Sequence, residues 1–175
     1  MRRVVAGCCS LVLLSWLQFA WPASASERSV GRSNNGFEAQ LLFVTDKRVF
    51  DDLRRAMSAP QDLPVHVPAV NETTRMKELF PILVLSWGTA HAGRTCNTTY
   101  DLLITNPDGS EYGRVPDLKA CAGETIVPGR TFLAAGDVGI TIEAADPLGD
   151  YTVVVTVKDK TSGAKLQLSD TFTAK

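Results

Sequence analysis

Histidine and cysteine carry most proton-transfer, nucleophilic and metal chemistry, and both are scarce here, with two His and four Cys in the chain. His66 lies in Pro64-Val65-His66-Val67-Pro68, alternating with valine, and His91 lies in the loop Trp87-Gly88-Thr89-Ala90-His91-Ala92-Gly93-Arg94. A Ser-His-Asp hydrolase needs its base beside an activated nucleophile. No G-x-S-x-G or comparable elbow occurs, and serine is scattered. The two histidines with Met57 and Met76 are the donor types that hold copper in an oxidising compartment, but no short-range spacing brings them together. Asp51 and Asp52 are adjacent, so a helix cannot aim both into one cleft. Asp101, Asp108, Asp117 and Asp170 fall where turns and outward strand faces place carboxylates, and no D-x-[DN]-x-[DN]-G calcium loop occurs. The expectation is a non-enzymatic protein with no catalytic residue, no metal site and no cofactor.

Recognition chemistry is better represented. Trp87, His91 and Arg94 share one loop next to Cys96, and Trp and Arg are favoured binding anchors because each joins a large contact area to a polar handle. These three are the candidate binding residues, although a Trp at a strand end also reads as core. A saccharide or small-ligand binder would instead present aromatics on one sheet face, and Trp87, Tyr100 and Tyr112 are the candidates for that.

The chain has 175 residues, 45% hydrophobic and 21% charged, which suits a folded domain rather than a disordered one. Its 18 basic and 19 acidic side chains nearly cancel, which argues against a nucleic-acid partner. Arg2 and Arg3 precede an apolar run from Val4 to Trp21, then Pro22 and the small-x-small triplet Ala23-Ser24-Ala25. That is the pattern of a secretory signal peptide over residues 1–25, cleaved near Ala25, with no membrane insertion afterwards and a periplasmic or secreted product. Cleavage takes two arginines and no acid, so the net side-chain charge becomes −3. It also removes Cys8 and Cys9, and the two that remain, Cys96 and Cys121, are expected to pair as a structural staple.

Residues 26–36 are polar and read as a flexible lead-in. Residues 37–78 hold a first strand from Phe37 to Val44, a short helix and a Pro-rich strap. In the helix, Val49, Phe50, Leu53 and Met57 share one face and Asp46 is the candidate N-cap. Pro60, Pro64 and Pro68 recur in the strap. From residue 79 to 175 the pattern is β. It comprises a run from Leu79 to Trp87 that is apolar on both faces, alternation at Tyr100, Leu102 and Ile104, an Asn106-Pro107-Asp108-Gly109 turn and a short return from Glu111 to Val115. A further short strand spans Thr131 to Ala134, and Val138, Ile140 and Ile142 alternate after it. The alternation is clearest at Tyr151, Val153, Val155 and Val157, followed by a hairpin at residues 158–163 and a last strand with Leu166, Leu168 and Phe172 inward. Seven to eight short strands with frequent turns describe an all-β antiparallel sandwich with one short N-terminal helix.

The stretch Asp146-Pro147-Leu148-Gly149-Asp150-Tyr151-Thr152-Val153, with the hairpin and strand after it, resembles the last two strands of immunoglobulin-like domains. Gly149 and Tyr151 match the offsets of a tyrosine corner, in which the hydroxyl bonds back to the backbone. Asp146 lies one residue further upstream than usual, and Val153 stands where antibody domains carry Cys. Residues 79–175 are similar to Ig-like modules of uncharacterised exported proteins of Gram-negative bacteria. The resemblance implies an Ig-like sandwich and no catalytic residues. The function expected is a binding module that recognises a protein partner of the cell envelope through loops or a sheet edge, with envelope-glycan or other small-ligand binding as the alternative.

Overall fold

The computed structural model describes residues 30–33, 35–58, 67–134 and 138–175. Residues 1–25, where a signal peptide is expected, lie outside these residues with His66, Pro60 and Pro64, as does the side chain of Met57. Ten strands and one α-helix occur among the described residues. They are β1 (Val30–Arg32), β2 (Phe37–Val44), α1 (Lys47–Ser58), β3 (Glu72–Thr73), β4 (Glu78–Trp87), β5 (Thr95–Thr105), β6 (Glu111–Thr125), β7 (Thr131–Leu133), β8 (Ile140–Thr141), β9 (Gly149–Asp159) and β10 (Ala164–Ala174).

These strands form two sheets. The first is ordered β1-β2-β4-β7, with β8 also on β4, and the second β3-β10-β9-β5-β6. The all-β expectation holds, with corrections. The pairing is not wholly antiparallel, because β3 runs parallel to β10. The lead-in contains β1, paired antiparallel with β2. The return strand runs ten residues beyond Val115: β6 spans Glu111–Thr125, and four register shifts against β5 break the alternation by which a strand is recognised. Strands from segments 37–78 and 79–175 share both sheets, since β2 pairs with β4 along its whole length and β3 with β10.

The core follows the strand period. Tyr151, Val153, Val155 and Val157 of β9 are all buried, as are Tyr100, Leu102 and Ile104 of β5 and Leu168 and Phe172 of β10. Facing them from the first sheet are Phe37, Leu41, Phe43, Leu79, Leu83, Leu85 and Trp87. The opposite face of that sheet is covered by α1, whose Phe50 and Leu53 pack with Leu42, Val44, Phe80 and Ile82. Burial on both faces explains why β4 reads as a continuous apolar run. The Asp46 carboxylate accepts the Arg48 N–H at 2.8 Å, which caps α1 as expected, and its hydrogen bonds with Arg48 hold its pKa below the usual carboxylate range. Pro81 lies within β4, a central strand that should exclude it. The Leu83 carbonyl accepts from Ala134 on the β7 side, and residues two apart point the same way, so the missing donor of Pro81 faces that side too. There β8 pairs only with Glu78 and Leu79 and β7 only with Val84–Ser86, so the proline falls in the gap between them.

Candidate binding surface

Four turns meet at one end of the two sheets: residues 35–36, 88–94, 126–130 and 159–163. After β4 the chain makes a single 3-10 turn at Thr89–His91, and two glycines set its depth. Gly88 donates its N–H to the Gly36 carbonyl at 2.9 Å, and a Cβ built on either residue would lie 3.4–3.5 Å from the other's Cα. Gly36 also has a φ of +82°, which glycine adopts without strain.

His91 is 4% exposed. Its Nε2–H donates to the Asn35 carbonyl at 3.0 Å, and Nδ1 lies 3.4 Å from Arg94 Nη1, so the two partners select the tautomer protonated on Nε2. Both ring nitrogens are therefore engaged by the protein. Asn35 Nδ2 donates in turn to the Ser162 carbonyl at 2.8 Å, which ties the first turn to the β9–β10 hairpin. The 126–130 turn is joined to the 88–94 loop by two backbone bonds, Gly93 N–H to Ile126 O at 3.0 Å and Ile126 N–H to Arg94 O at 2.8 Å.

Trp87 is only 2% exposed and packs in the core against a tilted Phe37 ring and edge-to-face with Phe132, so the expectation of a surface anchor is corrected for this residue. Its Nε1–H donates to Asp159 Oδ2 at 3.0 Å. Asp159, itself 1% exposed, also accepts from the Thr98 hydroxyl at 2.8 Å and from the backbone N–H groups of Thr161 and Ser162. Burial pushes the Asp159 carboxyl up, but hydrogen bonds from Ser162, Trp87 and Thr98 outweigh it and hold the group below the ordinary carboxylate range. The sequence reading missed Asp159, although it continues the inward series Tyr151, Val153, Val155, Val157 two residues further on. It missed Asn35 and Val127 because nothing local marks a residue whose partners come from distant turns.

Of the three sequence candidates, then, Arg94 is exposed, His91 is a brace beneath it and Trp87 belongs to the core. Beside Arg94 the surface presents Ala90, Ala92 and Val127, the last 47% exposed. Below this surface Cys96 and Cys121 form a disulfide between β5 and β6, with Cα atoms 5.8 Å apart, as expected. Such a bond persists in oxidising compartments. The aromatics a saccharide platform needs are withdrawn, because Trp87 and Tyr100 are buried and Tyr112 is half-buried with its hydroxyl between Thr141 O and Asp146 Oδ2 at 2.7 and 2.9 Å.

The opposite end holds the tyrosine corner. Tyr151 Oη donates to Pro147 O at 2.7 Å, its ring stacks on Phe172, and Gly149 has a φ of +133° with Pro107 3.2 Å from where its Cβ would be. Burial, and then the Asp146 carboxylate, raise the Tyr112 pKa well above the usual phenol range, so the phenol stays a donor. Asp170 departs from the outward position expected: on β10 it shares the inward face with the buried Leu168 and Phe172, and burial raises its pKa. An open cleft of about 570 Å³ at this end is lined by Thr45, Arg48, Thr73 and Lys77 and crossed by the Lys175–Glu72 ion pair at 2.7 Å. Among the described residues no three His, Cys, Asp or Glu side chains gather as a metal site, and no helix is long and apolar enough to cross a membrane.

No protein-family model matches the chain, and no curated protein matches it. Among solved structures, an alkylpurine DNA glycosylase of Pseudomonas fluorescens aligns at 18% identity over 60% of this chain and 28% of its own, with a TM-score of 0.39. A family 123 glycoside hydrolase from Clostridium perfringens aligns at 12% identity over 79% of this chain and 27% of its own, with a TM-score of 0.44. A Niemann-Pick type C2 protein from the Japanese carpenter ant aligns at 8% identity over 90% of this chain and 100% of its own, with a TM-score of 0.41. The chain thus spans under a third of the first two, and with every TM-score below 0.5 none of the three assigns it a family or an activity.

Proposed function

We propose that this chain is an exported, non-enzymatic binding module of the cell envelope that recognises a protein partner through the loop surface around Arg94 and Val127. The observation that carries this reading is the bracing beneath that surface. His91, Asn35, the Gly36–Gly88 contact and the paired 93–94 and 126 backbones hold exposed residues in place from below. A surface ordered before binding loses less entropy when a partner docks, and exposed Arg beside apolar side chains is the usual composition of an interface centre.

The sandwich is proposed to be of the immunoglobulin type. In support, the N-terminal strand region is split between the sheets, with β2 on β4 and β3 parallel to the final strand, and the order β10-β9-β5-β6 carries a tyrosine corner at the start of β9. Export is proposed from the residue 1–25 pattern, with the disulfide in support.

Affinity capture from an envelope extract tests the binding reading. The tagged protein should enrich one envelope protein near stoichiometry. The double variant Arg94→Glu, Val127→Asp should keep its unfolding midpoint and bind that protein about tenfold or more weakly, as loss of interface-centre residues does. Undiminished capture by the variant, or no enrichment by the parent, would remove the proposal.

A further inference from the structure

The side chain that braces the 88–94 loop from beneath is titratable. Imidazole side chains ordinarily take up a second proton at about pH 6.5, within the range a cell envelope meets. His91 is 4% exposed, and both of its ring contacts are those of a neutral ring.

The two nitrogens respond differently to a second proton. Nε2 already carries one, and its bond to the Asn35 carbonyl at 3.0 Å survives charging. Nδ1 is the atom that accepts the new proton. It lies 3.4 Å from Arg94 Nη1, too close for a water between them, and a guanidinium has donors only and no acceptor. Protonation therefore aims one donor at another and sets two cations side by side. Arg94 is exposed and can swing away. The new N–H is then left without an acceptor in a buried position, and it meets water only when the loop lifts.

No carboxylate is in place to take the charge. The 35–36 turn brings Asn35 and Gly36, both neutral. The 126–130 turn brings Arg130, a further cation, which lies over the Phe132 ring. Glu124, at the end of β6, lines the cleft beside β7. The β9–β10 hairpin, tied to Asn35 through Ser162, brings Lys160 and Asp159. The Asp159 carboxylate is already bound to Trp87, Thr98, Thr161 and Ser162. Among the described residues no carboxylate is bonded to His91 or Arg94.

We propose that His91 makes this surface acid-sensitive: the 88–94 loop is closed while the ring is neutral and opens when it is charged, which releases a bound protein partner. The release rests on the reading of this surface as the binding site; the opening of the loop does not.

The opening is tested on the isotope-labelled protein by NMR between about pH 7.5 and about pH 5, with no partner present. Ring nitrogen shifts report the charge on His91. Exchange at the Gly93 and Ile126 amides, which bond Ile126 O and Arg94 O across the two turns, reports whether the loop is closed. It is expressed as protection factors, so that the intrinsic pH dependence of exchange is removed. Both factors should fall about tenfold or more as the ring charges, with the same midpoint, while Val155 in the middle of β9 keeps its protection. His91→Gln offers one donor and one acceptor without a titrating group, so its loop should stay protected throughout, and His66→Gln should behave as the parent does. A ring that stays neutral across the range, a charged ring with unchanged protection, or the same loss in His91→Gln would overturn the proposal. If His91→Gln does not fold, the coincidence of midpoints in the parent decides. The release is tested by capture at both pH values. A partner held at about pH 7.5 and lost at about pH 5 is the expected result. A partner held equally at both would overturn the release and leave the binding reading standing. No capture at either would remove the binding reading and the release with it, and the loop opening is then judged by NMR alone.

Discussion

At the scale of single residues, the decisive side chain is Asp159. It is a buried carboxylate whose two oxygens serve Trp87, Thr98, Thr161 and Ser162. Replacing it with Asn puts an NH₂ group against one of these donors, because an amide offers a single acceptor oxygen. Asp159→Asn should therefore lower stability by roughly 2 to 3 kcal/mol, the range for hydrogen bonds to a charged group, measured by urea unfolding at neutral pH. Its pKa is depressed in the folded state, so its stabilisation is complete above the unfolded value near pH 4 and is lost as pH falls through the lower folded value. The gap between parent and variant should accordingly shrink in acid; a gap that stays constant with pH would show that the charge is not responsible. Tyr151 contributes one well-formed bond, to Pro147 O. Tyr151→Phe should destabilise by about 1 kcal/mol in the same assay, and no change would mean that the corner does not contribute.

At the scale of elements, the disulfide holds β6 where its register is least regular. Cys121 belongs to the β5–β6 ladder at Thr98↔Cys121, one step from a register shift, and Cys96 sits beside another. Regular pairing alone would hold this part of the ladder poorly, and the covalent link fixes it. Neither cysteine should react with an alkylating agent before reduction, read by peptide mapping. The Cys96→Ala, Cys121→Ala double variant should lose roughly 3 kcal/mol, as expected for a loop of this length. Strands with unbroken alternation were legible in advance. β9, β5, β10 and β4 announce themselves because most of their inward residues are apolar. β6 was cut short at Val115 because its bulges interrupt the period of two, and β1 and β3 were missed because two or three residues carry no period. Their pairing is supplied by strands far away in sequence.

At the scale of the whole molecule, the two sheets and the helix share one chain of packing, from α1 through β2 and β4 to β9 and β10. One end carries the tyrosine corner and the other the braced loops.

The β-rich class, the helix with its Asp46 cap and the pairing of Cys96 with Cys121 are legible in the sequence, and the Tyr151 corner is implied by the resemblance to immunoglobulin-like domains. The first three rest on composition, on local spacing and on the two cysteines, of four, that lie beyond residues 1–25. Packing alone settles that Trp87 and His91 face inward while Arg94 and Val127 face out, and that Asp159 ties β4 and β5 to the β9–β10 hairpin. Those properties depend on neighbours 30 to 130 positions away, and the exposure of a side chain is set by what packs over it.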